Sequence, residues 1–159
     1  MPDALFVLTF IAALGSGLVA GVLFGFSTFI MPGLGRLSAA EATRAMQSIN
    51  ITAITPLFMG ALFGTAAVCA AAMVGVAVDW DSSYGVYVLV GGALYLIGVI
   101  GVTMAANVPR NNVLAAVDST GPDAERVWST YLREWTAWNH VRTVAPLIAA
   151  GLFVAALAT

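Results

Sequence analysis

The chain has 159 residues, 60% of them hydrophobic and only 9% charged, with a net charge of −2. Soluble domains carry about 25% charged residues, so composition argues against a water-soluble globular fold and for membrane-spanning segments. One cysteine, Cys69, and one histidine, His140, leave no intrachain disulfide, no zinc pattern and no bis-histidine haem within one chain.

The amino end, Met1-Pro2-Asp3, has no basic stretch, and the apolar run behind it is longer than the about 7–15 residues of a signal-peptide core. It is expected to be a retained first span over about 4–31. Gly17, Gly21 and Gly25 recur at four-residue intervals beside Gly15 and Ser16. Small residues at that spacing let helices approach closely. Packing within the chain is the first expectation, and a homo-oligomer through the Gly17/Gly21/Gly25 face the second. Pro32, Gly33 and Gly35 are expected to end the span.

Ser38 with Glu41 three residues on is a capping box, so a helix starts there. It carries Arg44, Gln47 and Asn50, then becomes apolar as the second span, 51–78, with a kink at Pro56 where Thr52 and Thr55 can satisfy freed backbone groups. Asp79 to Ser83 is a polar turn, and Trp80, Tyr84 and Tyr87 suit an interfacial aromatic belt. Ser82 or Ser83 can cap the third span, 84–106. Pro109 disfavours helical backbone at Val108, so a break or bend is expected there, with Asn107 at a helix end. Residues 110–118 read as a short helix. After the Ser119–Pro122 turn, a long helix runs into the fourth span, 140–158.

The predicted fold is therefore all-α: one integral membrane domain over 1–159, a four-helix bundle with amphipathic cytoplasmic helical extensions on spans two and four. All six arginines fall in the connections 32–50 and 107–139 or at their edge. The positive-inside rule puts those connections in the cytoplasm and both termini outside, which in a bacterial inner (plasma) membrane is the periplasmic side.

On a helix with about 100° per residue, Trp128, Tyr131, Trp135, Trp138, Asn139, Arg142 and Pro146 point within about 60° of one direction. Arg126, Arg133 and His140 point the opposite way. The topology gathers Gln47 and Asn50, Asn107, Asn111 and Asn112, and Asn139 and Arg142 at the cytoplasmic ends of spans two, three and four. They are expected to form a polar, tryptophan-lined pocket.

The spans contain no carboxylates, which excludes a di-iron bundle and argues against a proton relay. There is no phosphate loop, no placeable Ser/His/Asp set and no basic tract for nucleic acid. Amides, indoles and one guanidinium remain. Such groups stack on flat rings and donate hydrogen bonds to a developing oxyanion, but they include no evident general base. The only imidazole, His140, lies on the opposite face and reads as a surface residue. Helix-to-helix hydrogen bonding by Asn139 and Arg142 is the structural alternative.

The segments M-Q-S-I-N (46–50), N-V-P-R-N-N (107–112), W-S-T-Y-L (128–132), W-T-A-W-N-H-V-R-T (135–143) and G-F-S-T-F-I-M-P-G-L (25–34) resemble the anthrone-oxygenase-like family of small membrane proteins. The resemblance implies oxidation of an anthrone to an anthraquinone by dioxygen, with no bound metal and no organic cofactor. Asn107, Asn111, Trp138, Asn139 and Arg142 match positions in the family's motifs. The expected roles are Asn139, Arg142 and Asn107 as oxyanion donors, and Trp135 and Trp138 as the slot. Asn111, Gln47, Asn50 and Tyr131 are further substrate contacts. The expected partners are a small aromatic or hydrophobic molecule and the bilayer. Two alternatives stand beside this reading: a non-enzymatic protein binding a hydrophobic ligand or partner, and a quinone- or haem-associated subunit.

Overall fold

The computed structural model describes residues 1–81 and 83–159. Among them there is no β-strand, and five helices account for nearly all of the chain. Four are long and apolar enough to cross a membrane: α1 Asp3–Leu34, α3 Pro56–Val78, α4 Gly85–Ala115 and α5 Ala124–Leu157. The shorter α2, Ala39–Thr52, lies between the first two. The chain is a multi-pass, all-helical membrane protein. In the bundle α5 packs chiefly on α1 and α4, and α3 also packs on α1 and α4.

Three expectations about prolines are corrected. Pro32 does not end the first helix, which continues to Leu34. Pro109 neither breaks α4 nor leaves Asn107 at a helix end, and residues 110–115 belong to the same helix. In both cases a widened π turn stands just ahead of the proline, Phe26–Ile30 in α1 and Thr103–Asn107 in α4. Pro cannot donate to the carbonyl four residues back and its ring crowds it; the extra residue in the π turn relieves that conflict without ending the helix. Pro56 goes the other way. The helix stops at Thr52, and Pro56 opens α3 as its first residue. Thr55 Oγ1 accepts from Phe58 N at 3.2 Å, a proper N-cap.

The capping box of α2 forms as expected, with Ser38 N 3.1 Å from Glu41 Oε2 and Glu41 N 3.4 Å from Ser38 Oγ. Ser82 lies outside the described residues. Ser83 makes no cap for α4; its N–H donates to Asp81 Oδ1 at 2.9 Å. Of the belt aromatics, Trp80 is exposed and Tyr84 is buried.

The glycines divide unexpectedly. Gly17 and Gly21 have nothing within 4 Å of where a Cβ would sit, and Gly25 meets only its own helix's Phe29 and Ile30. Close packing inside the bundle falls instead to Gly15 against Thr65, Gly92 against Met73 and Gly98 against Ala145. The expectation that the Gly17/Gly21/Gly25 spacing serves internal packing is corrected.

The apolar interior comes in two parts. The larger runs from Leu5, Val19 and Leu23 through Cys69, Tyr95 and Val99 to Ala149 and Phe153. The smaller joins Met31, Met46, Leu114, Trp128, Tyr131 and Trp135. At 1.5 Å per residue α1, α4 and α5 are about 45–50 Å long against about 35 Å for α3. Their extra turns, covered by α2, make the smaller part. Between the two parts lies a layer of polar side chains.

Candidate functional site

The polar layer is built by α1, α4 and α5. Its centre is Asn139, which has no exposure. Its Nδ2 donates to Leu23 O and to Ser27 Oγ, each at 2.8 Å. Ser27 sits in the π turn of α1, and Leu23 is the carbonyl just ahead of that turn. Thr143 Oγ1 donates to Asn139 O at 2.8 Å and lies 3.1 Å from Ser27 Oγ. Since Ser27 accepts from Asn139, its own hydrogen is free for Thr143, and the ring closes with every donor used.

Arg142 extends this layer toward α4. Its Nη2 donates to Asn139 Oδ1 at 2.7 Å and its Nη1 to Thr103 Oγ1 at 3.2 Å. The guanidinium carbon lies 5.0 Å from the centre of the Trp135 ring, a cation–π contact. One turn along α4 from Thr103, Asn107 donates from Nδ2 to Trp135 O at 3.2 Å.

From Trp135 an aromatic column runs along α5. Tyr131 stacks on Trp135 and on Trp128, with centroids 5.9 Å apart in both pairs, and Phe26 tilts against Trp135 at 5.7 Å. Asn111 Oδ1 holds the column in place by accepting from Tyr131 OH at 2.9 Å and from Trp135 Nε1 at 2.8 Å. Asn50 lies beside the Tyr131 hydroxyl.

Two features of this cluster exceed what packing needs. Arg142 is 7% exposed, yet the ion pairs among the described residues join Arg110 and Arg133 to Glu134 and Arg126 to Asp123, never Arg142 to an acid. A buried charge without a counter-charge is costly, more so at membrane depth. And two buried polar atoms here have no partner among the described residues: Arg142 Nε and Asn107 Oδ1. An enclosed donor on a cation suits an anionic oxygen, and an enclosed acceptor suits a hydroxyl or a water. No three His, Cys, Asp or Glu side chains gather into a group able to hold a metal ion among the described residues.

The family model for anthrone oxygenase matches residues 55–152, more than half of the chain. The chain belongs to the anthrone oxygenase family. No curated protein and no solved structure matches it. The matched stretch holds all of α3 and α4 and nearly all of α5, hence every site residue on those helices; α1 and α2 lie outside it.

Of the residues predicted for an anthrone-oxygenase-like site, the structure joins Asn107, Asn111, Tyr131, Trp135, Asn139 and Arg142 in one network. Asn139 is not a free donor, because both of its amide hydrogens are engaged within the chain. Trp138 is 41% exposed and stands outside the column, so it does not form a slot with Trp135. Gln47 is engaged elsewhere: its Nε2 donates to Leu114 O at 2.9 Å and Val117 O at 3.1 Å, closing the end of α4. His140 is exposed, as its helical face predicts. The polar groups expected to line an open pocket bond to one another instead. Sequence reasoning missed Ser27, Thr103, Thr143 and Phe26. The readable signal was a hydroxyl two to six residues ahead of a proline in an apolar run, as in Ser27 before Pro32 and Thr103 before Pro109.

Proposed function

We propose that the protein oxidises a small, flat, anthrone-type substrate with dioxygen, and that Arg142 faces the substrate's oxyanion. The observation that carries this reading is the buried Arg142 guanidinium with no acidic partner, stacked on Trp135. In such a substrate a methylene lies between two aromatic rings, opposite a carbonyl. Its loss of a proton places negative charge on the carbonyl oxygen. Among the described residues only two of the five guanidinium N–H groups have protein partners, which leaves donors for that oxygen. Stabilising charge that develops in a water-poor site is the largest single contribution most enzymes make.

The overall change balances without another reductant: the methylene gives up two hydrogens and gains one oxygen atom as a carbonyl, and the second oxygen atom leaves as water. The electrons come from the substrate anion, so the reading needs no metal or organic cofactor. The cluster holds no carboxylate or imidazole, so its part is to favour the anion while the proton leaves to water. A groove of about 200 Å³ lined by Arg110, Val113, Val127 and Glu134 reaches Tyr131, one ring further along the aromatic column from Arg142 than Trp135, and the proposed substrate path runs from there along the column.

The test is oxygen uptake and anthraquinone absorbance with purified protein and a panel of anthrones. Arg142→Gln is expected to lower kcat/KM by about 10²–10³-fold, as for loss of an oxyanion donor. A folded Arg142→Gln that turns over at the wild-type rate sinks the assignment. The closed packing around Asn139 favours a second reading, in which the layer only fastens the helices and the protein binds a hydrophobic ligand without converting it. Saturable anthrone binding with no oxygen uptake selects that reading.

A further inference from the structure

A second groove, of about 330 Å³, lies on the outside of the bundle where the end of α1 meets α5. Its volume is at the lower end of ligand pockets, about 300–1,000 Å³. Met31, Pro32, Leu132 and Ala137 make its walls, and Arg133, Thr136 and His140 add polar groups. On α5 the residues 133, 136, 137 and 140 share one face at three- and four-residue steps.

The groove stands at a boundary. Beyond His140 the exposed side chains of α5 are Val141, Val144, Leu147 and Ile148, and on α1 Phe24 and Phe29 are exposed just before Met31. Toward the other side come Arg133 and Arg36, the latter beside Gly35, which packs on Leu132. The surface therefore changes from apolar to cationic along the length of the groove, as bilayer changes to head groups.

Its charge is only partly matched. Arg133 approaches Glu134 Oε1 only to 3.7 Å, while Glu134 Oε2 takes Arg110 Nη2 at 2.9 Å and Nε at 3.1 Å. A cation and an imidazole over an apolar trough are complementary to a phosphate or ester oxygen above an acyl chain.

We propose that this groove binds one anionic phospholipid of the surrounding bilayer, with its phosphate at Arg133, an ester oxygen at His140 and a chain along Met31 and Ala137 toward the apolar side. This goes beyond the oxidation reading and does not depend on it. The test is native mass spectrometry of the full-length protein, titrated in micelles with phosphatidylglycerol or phosphatidylcholine. Wild type is expected to retain phosphatidylglycerol preferentially. Arg133→Ala is expected to weaken that binding about fivefold, the usual effect of one basic residue at a membrane surface. Ala137→Phe, which fills the trough, should abolish it. Arg126→Ala removes the same charge outside the groove and should change nothing. Equal retention of both lipids by wild type, or an Arg126→Ala loss as large as that of Arg133→Ala, overturns the site in favour of diffuse attraction.

Discussion

Asn139 and Arg142 are three residues apart on one helix and play different parts. Every side-chain polar atom of Asn139 is engaged inside the protein, two bonds reaching α1 and one Arg142. Removing it takes one partner each from Leu23 O, Ser27 and the guanidinium, and leaves Arg142 Nη2 unpaired. Asn139→Ala is therefore expected to destabilise the protein by about 2–4 kcal/mol, from two or three lost interhelical bonds and an enclosed unpaired donor. Trp138→Phe, at an exposed position, should cost less than about 0.5 kcal/mol. Unfolding midpoints in mixed micelles compare the two; equal losses would show that α5 is oriented otherwise. The arc from Trp128 to Arg142 was legible in the sequence because helical spacing fixes direction. Which part of the arc is covered was not, because cover depends on neighbours that differ from turn to turn. Tyr131 sits near the edge of the arc and is buried against Asn111 and Asn50; Trp138, at the opposite level of the same edge, is left open.

At the scale of helices, apolarity and length announced the four spans, and the capping box announced α2. Prolines were harder, because their outcome depends on which local device, a π turn or a cap, takes up the lost backbone bond. At Pro109 the π turn absorbs the conflict, and Arg110 Nη1 donates to Ala106 O at 2.8 Å nearby; at Pro56 a threonine cap is available and the helix restarts. Glycine spacing misled for a similar reason, since it shows that close approach is permitted but not by what. Gly98→Ala would drive a methyl into Ala145, whereas Gly17→Ala meets open space. Gly98→Ala should cost about 1–3 kcal/mol through overpacking, and Gly17→Ala should be neutral or slightly stabilising in a helix; thermal melts of the two in one detergent check this. The α2 cap should respond to pH. Hydrogen bonds from Ser38, its side chain first and then its backbone, hold the exposed Glu41 carboxyl below its ordinary value of 4.5. A depressed folded value means the cap's contribution is complete above 4.5 and is lost as pH falls below it through the folded value. Amide exchange at residues 39–43, corrected for intrinsic rates, should rise across that window in wild type and stay flat in Glu41→Gln.

The whole molecule is two apolar cores joined by a polar layer, and the layer sits where the long helices leave the level of α3. That arrangement puts Gln47, Leu114, Arg110, Glu134, Gly35 and Leu132 at one end of the bundle. The same end holds every arginine except Arg142, which lies in the layer itself. The opposite end has the two chain termini and the turn with Asp79 and Asp81. Such asymmetry orients a bundle, because translocating arginine-rich connections across an energised membrane is disfavoured. The arginine-rich end, with both grooves, is therefore expected to face the cytoplasm. A phosphatase reporter fused after Thr159 should be active, since that enzyme folds only outside the cytoplasm, and a fluorescent protein at the same place should be dark. Inserting the same reporters in the 118–122 turn between α4 and α5 should reverse both signals. The opposite pair of results would place the grooves outside and would require an aromatic substrate to arrive from that side. Active phosphatase at both positions would break the even number of crossings on which the bundle's topology depends.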